Sequence, residues 1–221
     1  NSLASPVIDP YIIKIEDNTL DTRINIAIDK GLWWLYKAGN NHGYMAYPKT
    51  YDGSPHMTWL QTSYVYTLAT PTASAVHAFG VNNHKIKGNV DEDPYVEAVK
   101  HGMNYLMNGY NYYTTYPALQ AVSIDVQAGG NPEEGQAAPN GYGIQVYDWG
   151  ANHVPYQSGQ VMDAIIASGA LTTDLTGRDF APGTPKSHNW TYGEVLQDMA
   201  DMYAWGQNDG GTCNGGICGS W

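Results

Sequence analysis

Apolar positions recur with helical spacing in five stretches of the chain. The first places Ile24, Ala27, Ile28, Gly31, Leu32 and Leu35 at i, i+3, i+4, i+7, i+8 and i+11, one face of a helix. Thr22 or Asp21 is placed to cap it, and Gly39-Asn40-Asn41 to end it. The second opens at Thr70-Pro71, a cap residue followed by Pro, carries Ala75, Val76 and Phe79, and stops at Gly80. The third opens at Asp93-Pro94, is lined by Val96, Val99, Met103, Leu106 and Met107, and closes at Asn108-Gly109. The fourth spans roughly residues 156–169, anchored by Val161, Met162, Ile165 and Ile166. The fifth begins at the capping box Thr191-x-x-Glu194, with Val195, Met199, Met202 and Tyr203 on its face. Pro6 and Pro10 make the start, residues 1–20, an extended segment ahead of one domain over 21–221. Residues 40–69 read as loop, and Pro117, Gly129-Gly130, Pro132 and Pro139 mark residues 110–154 as a long insertion.

The helices repeat. Lys30-Gly31-x-x-Trp34-Leu35 in the first answers to His101-Gly102-x-x-Tyr105-Leu106 in the third, and polar, glycine-containing turns follow, the clearest being Trp205-Gly206-Gln207-Asn208-Asp209-Gly210 leading to Gly219-Ser220-Trp221. The second and fourth helices are rich in small residues. Helical pairs of this kind bury their faces on one another in an array. The Lys/Arg-Gly pair, the aromatic-Leu pair and the Gln, Gly and Trp of the turns resemble the repeat of the prenyltransferase and squalene-cyclase α/α toroids. That resemblance implies an all-α fold, an incomplete α/α toroid of repeated helical hairpins with long irregular loops. It does not carry the activity across. The nearest match to the cyclases' Asp-x-Asp-Asp is Asp91-Glu92-Asp93, which Pro94 turns into a helix cap; the thioester strip Gly-Cys-Gly-Glu-Gln and the prenyltransferase Asp, Cys, His zinc set are both missing. Five helices are odd for a structure of pairs, and the chain stops at Trp221, just where the last repeat's turn finishes. The expectation is that a second half follows in a longer protein or that another chain covers the exposed face.

Composition narrows the classes. The 221 residues carry 21 Asp+Glu against 10 Lys+Arg, a net charge of −11. So few basic groups argue against a nucleic-acid or anionic-membrane partner, and no apolar run approaches the ~20 residues that span a bilayer. The 43% hydrophobic content is enough for a packed core and too high for a disordered chain. The start at Asn1-Ser2-Leu3 lacks Met and a leader, as a processed secreted chain or a cut one would. Scarce Lys, the sequon Asn189-Trp190-Thr191 and the cysteine usage point to an extracellular or cell-surface location. Cys213 and Cys218 sit in a glycine-rich loop able to close a small disulfide, with half of a zinc site as the rival reading.

The aromatic residues supply the candidate binding positions. Trp33, Trp34 and Trp59 form a sugar- or polymer-binding face or, alternatively, pack in the core, whereas Tyr110, Tyr112, Tyr113 and Tyr116 fall in the insertion, where no helix demands them. His153 and Tyr156, beside Asn152, are the one pair placed for β-elimination from an acidic glycan, but the basic groups that would neutralise a substrate carboxylate are scarce. No His pair has metal-ligand spacing, and the acidic clusters leave calcium as the only cation to consider, without EF-hand spacing. The sequence therefore points away from an enzyme and towards a structural or binding module of a secreted or cell-surface protein, acting by assembly with itself or another subunit, with a glycan as a further ligand. A toroid-type enzyme, a polysaccharide lyase before a terpenoid cyclase, is the alternative.

Overall fold

The computed structural model describes residues 19–42, 50, 53–59, 68–110, 117–123, 142–146, 154–178, 180 and 189–206. The chain divides into two units, Asn1–Ala38 and Gly39–Trp221. The described part of the first is one helix, α1 (Leu20–Ala38). Its cap is Thr19, ahead of the expected Thr22 or Asp21: the Thr19 hydroxyl accepts from the Thr22 amide at 3.3 Å. Of its residues only Leu32 is buried.

The second unit contains β1 (Asn40–His42), β2 (His56–Thr58), α2 (Ala69–Val81), α3 (Pro94–Asn108), β3 (Leu119–Ser123), β4 (Tyr142–Val146), α4 (Val154–Ser168) and α5 (Tyr192–Gly206). The strands correct the all-α expectation of an incomplete toroid with irregular loops. β1 pairs with β2 and β3 with β4, each pair antiparallel. In the second hairpin Leu119 lies opposite Val146 and Ala121 opposite Ile144, all four buried, while Gln120 opposite Gln145 is half-buried. This period-two alternation, Leu-Gln-Ala against Ile-Gln-Val, is a strand signal lying inside a segment dominated by Pro and Gly punctuation. β2 has no such signal, since His56, Met57 and Thr58 are all buried.

The helices form two antiparallel hairpins. Phe79 near the end of α2 stacks on Tyr95 at the start of α3, 5.3 Å between ring centroids, while Thr72 in the first turns of α2 lies near Gly102, further along α3. The amide of Gly159 in α4 donates to the Tyr203 hydroxyl near the end of α5, and Gly193 at the start of α5 donates to Thr172 just beyond α4. Between the hairpins, α2 and α4 run parallel: Ser74 donates to Gln160 at 2.9 Å, and a full turn and more later Gly80 meets Ala167 so closely that a Cβ on Gly80 would overlap the Ala167 backbone. The two helix C-termini therefore lie side by side. Lys85 serves both, its Nζ donating to Gly80 O at 2.5 Å and Ala167 O at 2.9 Å, a cation against the carbonyls at two negative dipole ends. Gly169, at φ +75°, supplies the left-handed residue that ends α4.

Local signals explain the other ends. Asp93 caps α3, its Oδ1 accepting from the Tyr95 amide at 2.9 Å, with Pro94 at the first helical position. The capping box of α5 closes in both directions: Glu194 N donates to Thr191 Oγ1 and Thr191 N to Glu194 Oε2. α2 begins at Ala69, before the expected Thr70-Pro71, with Leu68 at the cap position making no side-chain cap. Leu68 is fully buried, and packing rather than capping places that end.

Candidate functional site

Helix α1 carries a stripe of exposed apolar residues. Leu20 is 69% exposed, Ile24 46%, Ile28 39% and Trp34 66%. Ala27 and Gly31 on the same side are exposed too, and nothing lies within 4 Å of a Cβ built on Gly31. Residues 20, 24, 27, 28, 31 and 34 fall on one stripe at 100° per residue, about 21 Å long at 1.5 Å rise per residue. Arg23, Lys30 and Lys37, all exposed, recur at every seventh position along one flank of it. The half-buried Trp33 points elsewhere, stacking on Tyr36 at 5.8 Å with the Lys37 ammonium 5.3 Å from its ring centroid. An apolar stripe edged by cations offers surface burial and charge pairing to a partner; it offers no nucleophile or acid/base pair.

The second unit holds a partly buried polar knot at the end of α3. Asn104 Nδ2 donates to Ser54 Oγ at 2.6 Å and to Pro55 O at 2.7 Å; Asn108 Nδ2 donates to Asn104 Oδ1 at 2.9 Å and Thr176 O at 3.1 Å. Arg178, buried, donates from Nη1 to Met107 O at 2.9 Å, and its guanidinium lies 4.3 Å from the Phe180 centroid. The Arg178 bond satisfies one terminal carbonyl of α3, and the others tie that end of the helix to Ser54 and Pro55, just ahead of β2, and to Thr176. Tyr105 stacks on His56 at 6.1 Å, is wholly enclosed, and has a hydroxyl without a hydrogen-bond partner. Burial holds its phenol protonated well above the ordinary range and lowers the His101 pKa below its usual value, only partly opposed by Glu97. A phenol so enclosed neither meets a substrate nor yields its proton near neutrality, and the knot reads as scaffold.

Other titratable groups also tie structure together. His84 Nδ1 and Asp93 Oδ2 meet at 2.6 Å, joining the exit of α2 to the cap of α3. The Lys87 ammonium, with the Leu171 amide, lowers the Asp174 pKa. Burial pushes the Tyr192 phenol up to about 12, Asp174 adding to it. Asp198 and Asp201, which the helical periodicity sets on the polar side of α5, are both buried; Gln197 donates to Asp201 Oδ1 at 2.8 Å, and burial raises its pKa. Among the described residues no three His, Cys, Asp or Glu side chains gather as a metal site, and no helix is long and apolar enough to cross a membrane.

The aromatic positions separate accordingly. Trp33 and Trp34 stand on α1 as described, whereas Trp59 is in the core, its ring 6.2 Å from Phe79 and its amide bonded to Thr72 Oγ1. Tyr110 is half-buried and bridges to Pro117. Tyr112, Tyr113, Tyr116, His153, Cys213 and Cys218 lie outside the described residues, and Tyr156 belongs to α4 with its side chain undescribed. Asn189 is exposed, its Oδ1 accepting from the Gly177 amide at 2.9 Å. The periodicity of Ile24, Ala27 and Ile28 reads as a face for the core; the overlooked signal is the seven-residue recurrence of Arg23, Lys30 and Lys37 beside it. No protein family, no curated protein and no solved structure matches the chain.

Proposed function

We propose that the chain is a non-enzymatic structural or binding module of a secreted or cell-surface protein, which works by protein–protein assembly with α1 as its contact helix. One observation carries the reading: the stripe of Leu20, Ile24, Ile28 and Trp34 stays open to solvent on a helix whose sequence is patterned for burial. An amphipathic helix presenting anchors at i, i+4 and i+8 is a recurrent docking element. The exposed Asn189 of the sequon supports an extracellular site of action. Kinship of the helical hairpins with the toroid repeat belongs to the same reading, supported by the antiparallel α2–α3 and α4–α5 pairs and the parallel α2–α4 contact; the two sheets lie outside that pattern.

The test is an interface variant. Ile24→Asp with Ile28→Asp is expected to abolish association of the chain with the proteins it cross-links to in its native material, while its melting temperature stays within a few degrees of the parent. Unchanged cross-linking would contradict the proposal.

A further inference from the structure

We infer that the partner of α1 is a second copy of this chain, docked head to tail, with the α1 stripe of one copy lying on the solvent side of the α2/α4 pair of the next. The inference rests on the reading of α1 as the contact helix. Its first support is internal. The Gly31, Trp34 and Leu35 of α1 match the Gly102, Tyr105 and Leu106 of α3, and in α3 that face is filled: a Cβ on Gly102 would stand 2.5 Å from Val76 and 3.7 Å from Thr72, both on α2. In α3 the motif thus seats a helix rich in small residues, whereas nothing lies within 4 Å of a Cβ built on Gly31.

The second support is a matching surface. Gly80 and Ala167 mark where parallel α2 and α4 touch. Val81, one step past the contact on α2, and Ile166, one step before it on α4, lean to the same side of a parallel pair. They are 60% and 65% exposed, and Leu171, just beyond α4, is 54% exposed. Asp163 is exposed one turn before Ile166 on the same face. An apolar patch with an acidic edge therefore faces outward on a small-residue helix pair.

Charge completes the match. Arg23, Lys30 and Lys37 outnumber Asp21 and Asp29, so α1 is net positive in a chain of net charge −11. Two α1 stripes laid together would bring like-charged flanks into play, whereas α1 against the Asp163 edge pairs opposite charges. Because the two surfaces differ, the contact is heterologous and builds rings or open filaments.

Light scattering on the full chain across micromolar to millimolar concentration tests this. The mass is expected to rise above 24.1 kDa with concentration. Trp34→Asp and Ile166→Asp, both at exposed positions, should each weaken assembly at least ~30-fold, the size of a hot-spot loss, with unchanged circular dichroism and melting. Mixed together, the two variants should form a two-chain complex and nothing larger, because the first keeps an intact α2/α4 face and the second an intact α1. A parent chain that stays at 24.1 kDa throughout overturns the second-copy inference and leaves α1 to be tested against other proteins. Assembly lost in Trp34→Asp but kept in Ile166→Asp overturns the α2/α4 face while sparing α1 as the contact helix. Assembly kept in both overturns the inference and the reading of α1 together.

Discussion

Helices α1 and α3 share a sequence motif and have opposite fates. In α3 the motif is closed in: Gly102 abuts α2, Tyr105 and Leu106 are wholly buried, and nine residues of the helix are inaccessible. In α1 the equivalent Gly31 faces open space, Trp34 is exposed, and Leu32 is the one buried residue. The same pattern is scaffold in α3, where a small-residue helix meets it, and exposed surface in α1. Periodicity encodes that a face wants covering, not which element covers it.

Substitutions at paired positions should break this contrast. The largest difference is expected at the aromatic pair. Tyr105→Ala should lose about 3–5 kcal/mol in denaturant unfolding, as for truncation of a fully buried ring, whereas Trp34→Ala should stay within about 0.5 kcal/mol in dilute solution. Similar losses at both positions would refute the distinction. The glycine pair comes next. Gly102→Ala should lose about 1–2 kcal/mol, since the new methyl presses on Val76, while Gly31→Ala should gain up to about 1 kcal/mol from helix preference alone; thermal melts of the two variants read the opposite signs.

The smallest effect extends the contrast to charge. Asp21 on α1 is exposed, but Asp201 on α5 is buried, with its Oδ2 unpartnered and its pKa raised. Between the ordinary value of 3.8 and the raised one, the folded chain holds a proton that the unfolded chain has lost, so this group makes stability fall as pH rises through that window. Asp201→Asn keeps the acceptor for Gln197 and should gain up to about 1 kcal/mol at pH 7, an advantage that disappears below the ordinary carboxylate range. Melting curves of the parent and Asp201→Asn from pH 3 to 7 read the effect; an advantage that does not change with pH would contradict it.

Much of the helical layer is legible in the sequence because its signals are local. The Asp93-Pro94 start, the Thr191/Glu194 box and the 3.6-residue spacing of Val96, Val99, Met103 and Leu106 each act within a few residues. The strands are less legible. Leu119, Ala121, Ile144 and Val146 alternate, but each run is five residues long, and the pairing between them is settled by burial against the rest of the unit. Trp59 and Trp34 could not be told apart by type: one fills the core beside Phe79, the other stands open, and only long-range packing separates them. The buried state of Asp198 and Asp201 escapes helical periodicity for the same reason, since the elements around α5 turn its polar side inward.

The central claim, that α1 is an open face awaiting a protein partner, is tested most directly by hydroxyl-radical footprinting of Trp34 and Tyr105 across a concentration series. The account predicts ready labelling of Trp34 in dilute solution, progressive protection as the chain assembles, and protection of Tyr105 throughout. Protection of Trp34 equal to that of Tyr105 at the lowest concentration would contradict it.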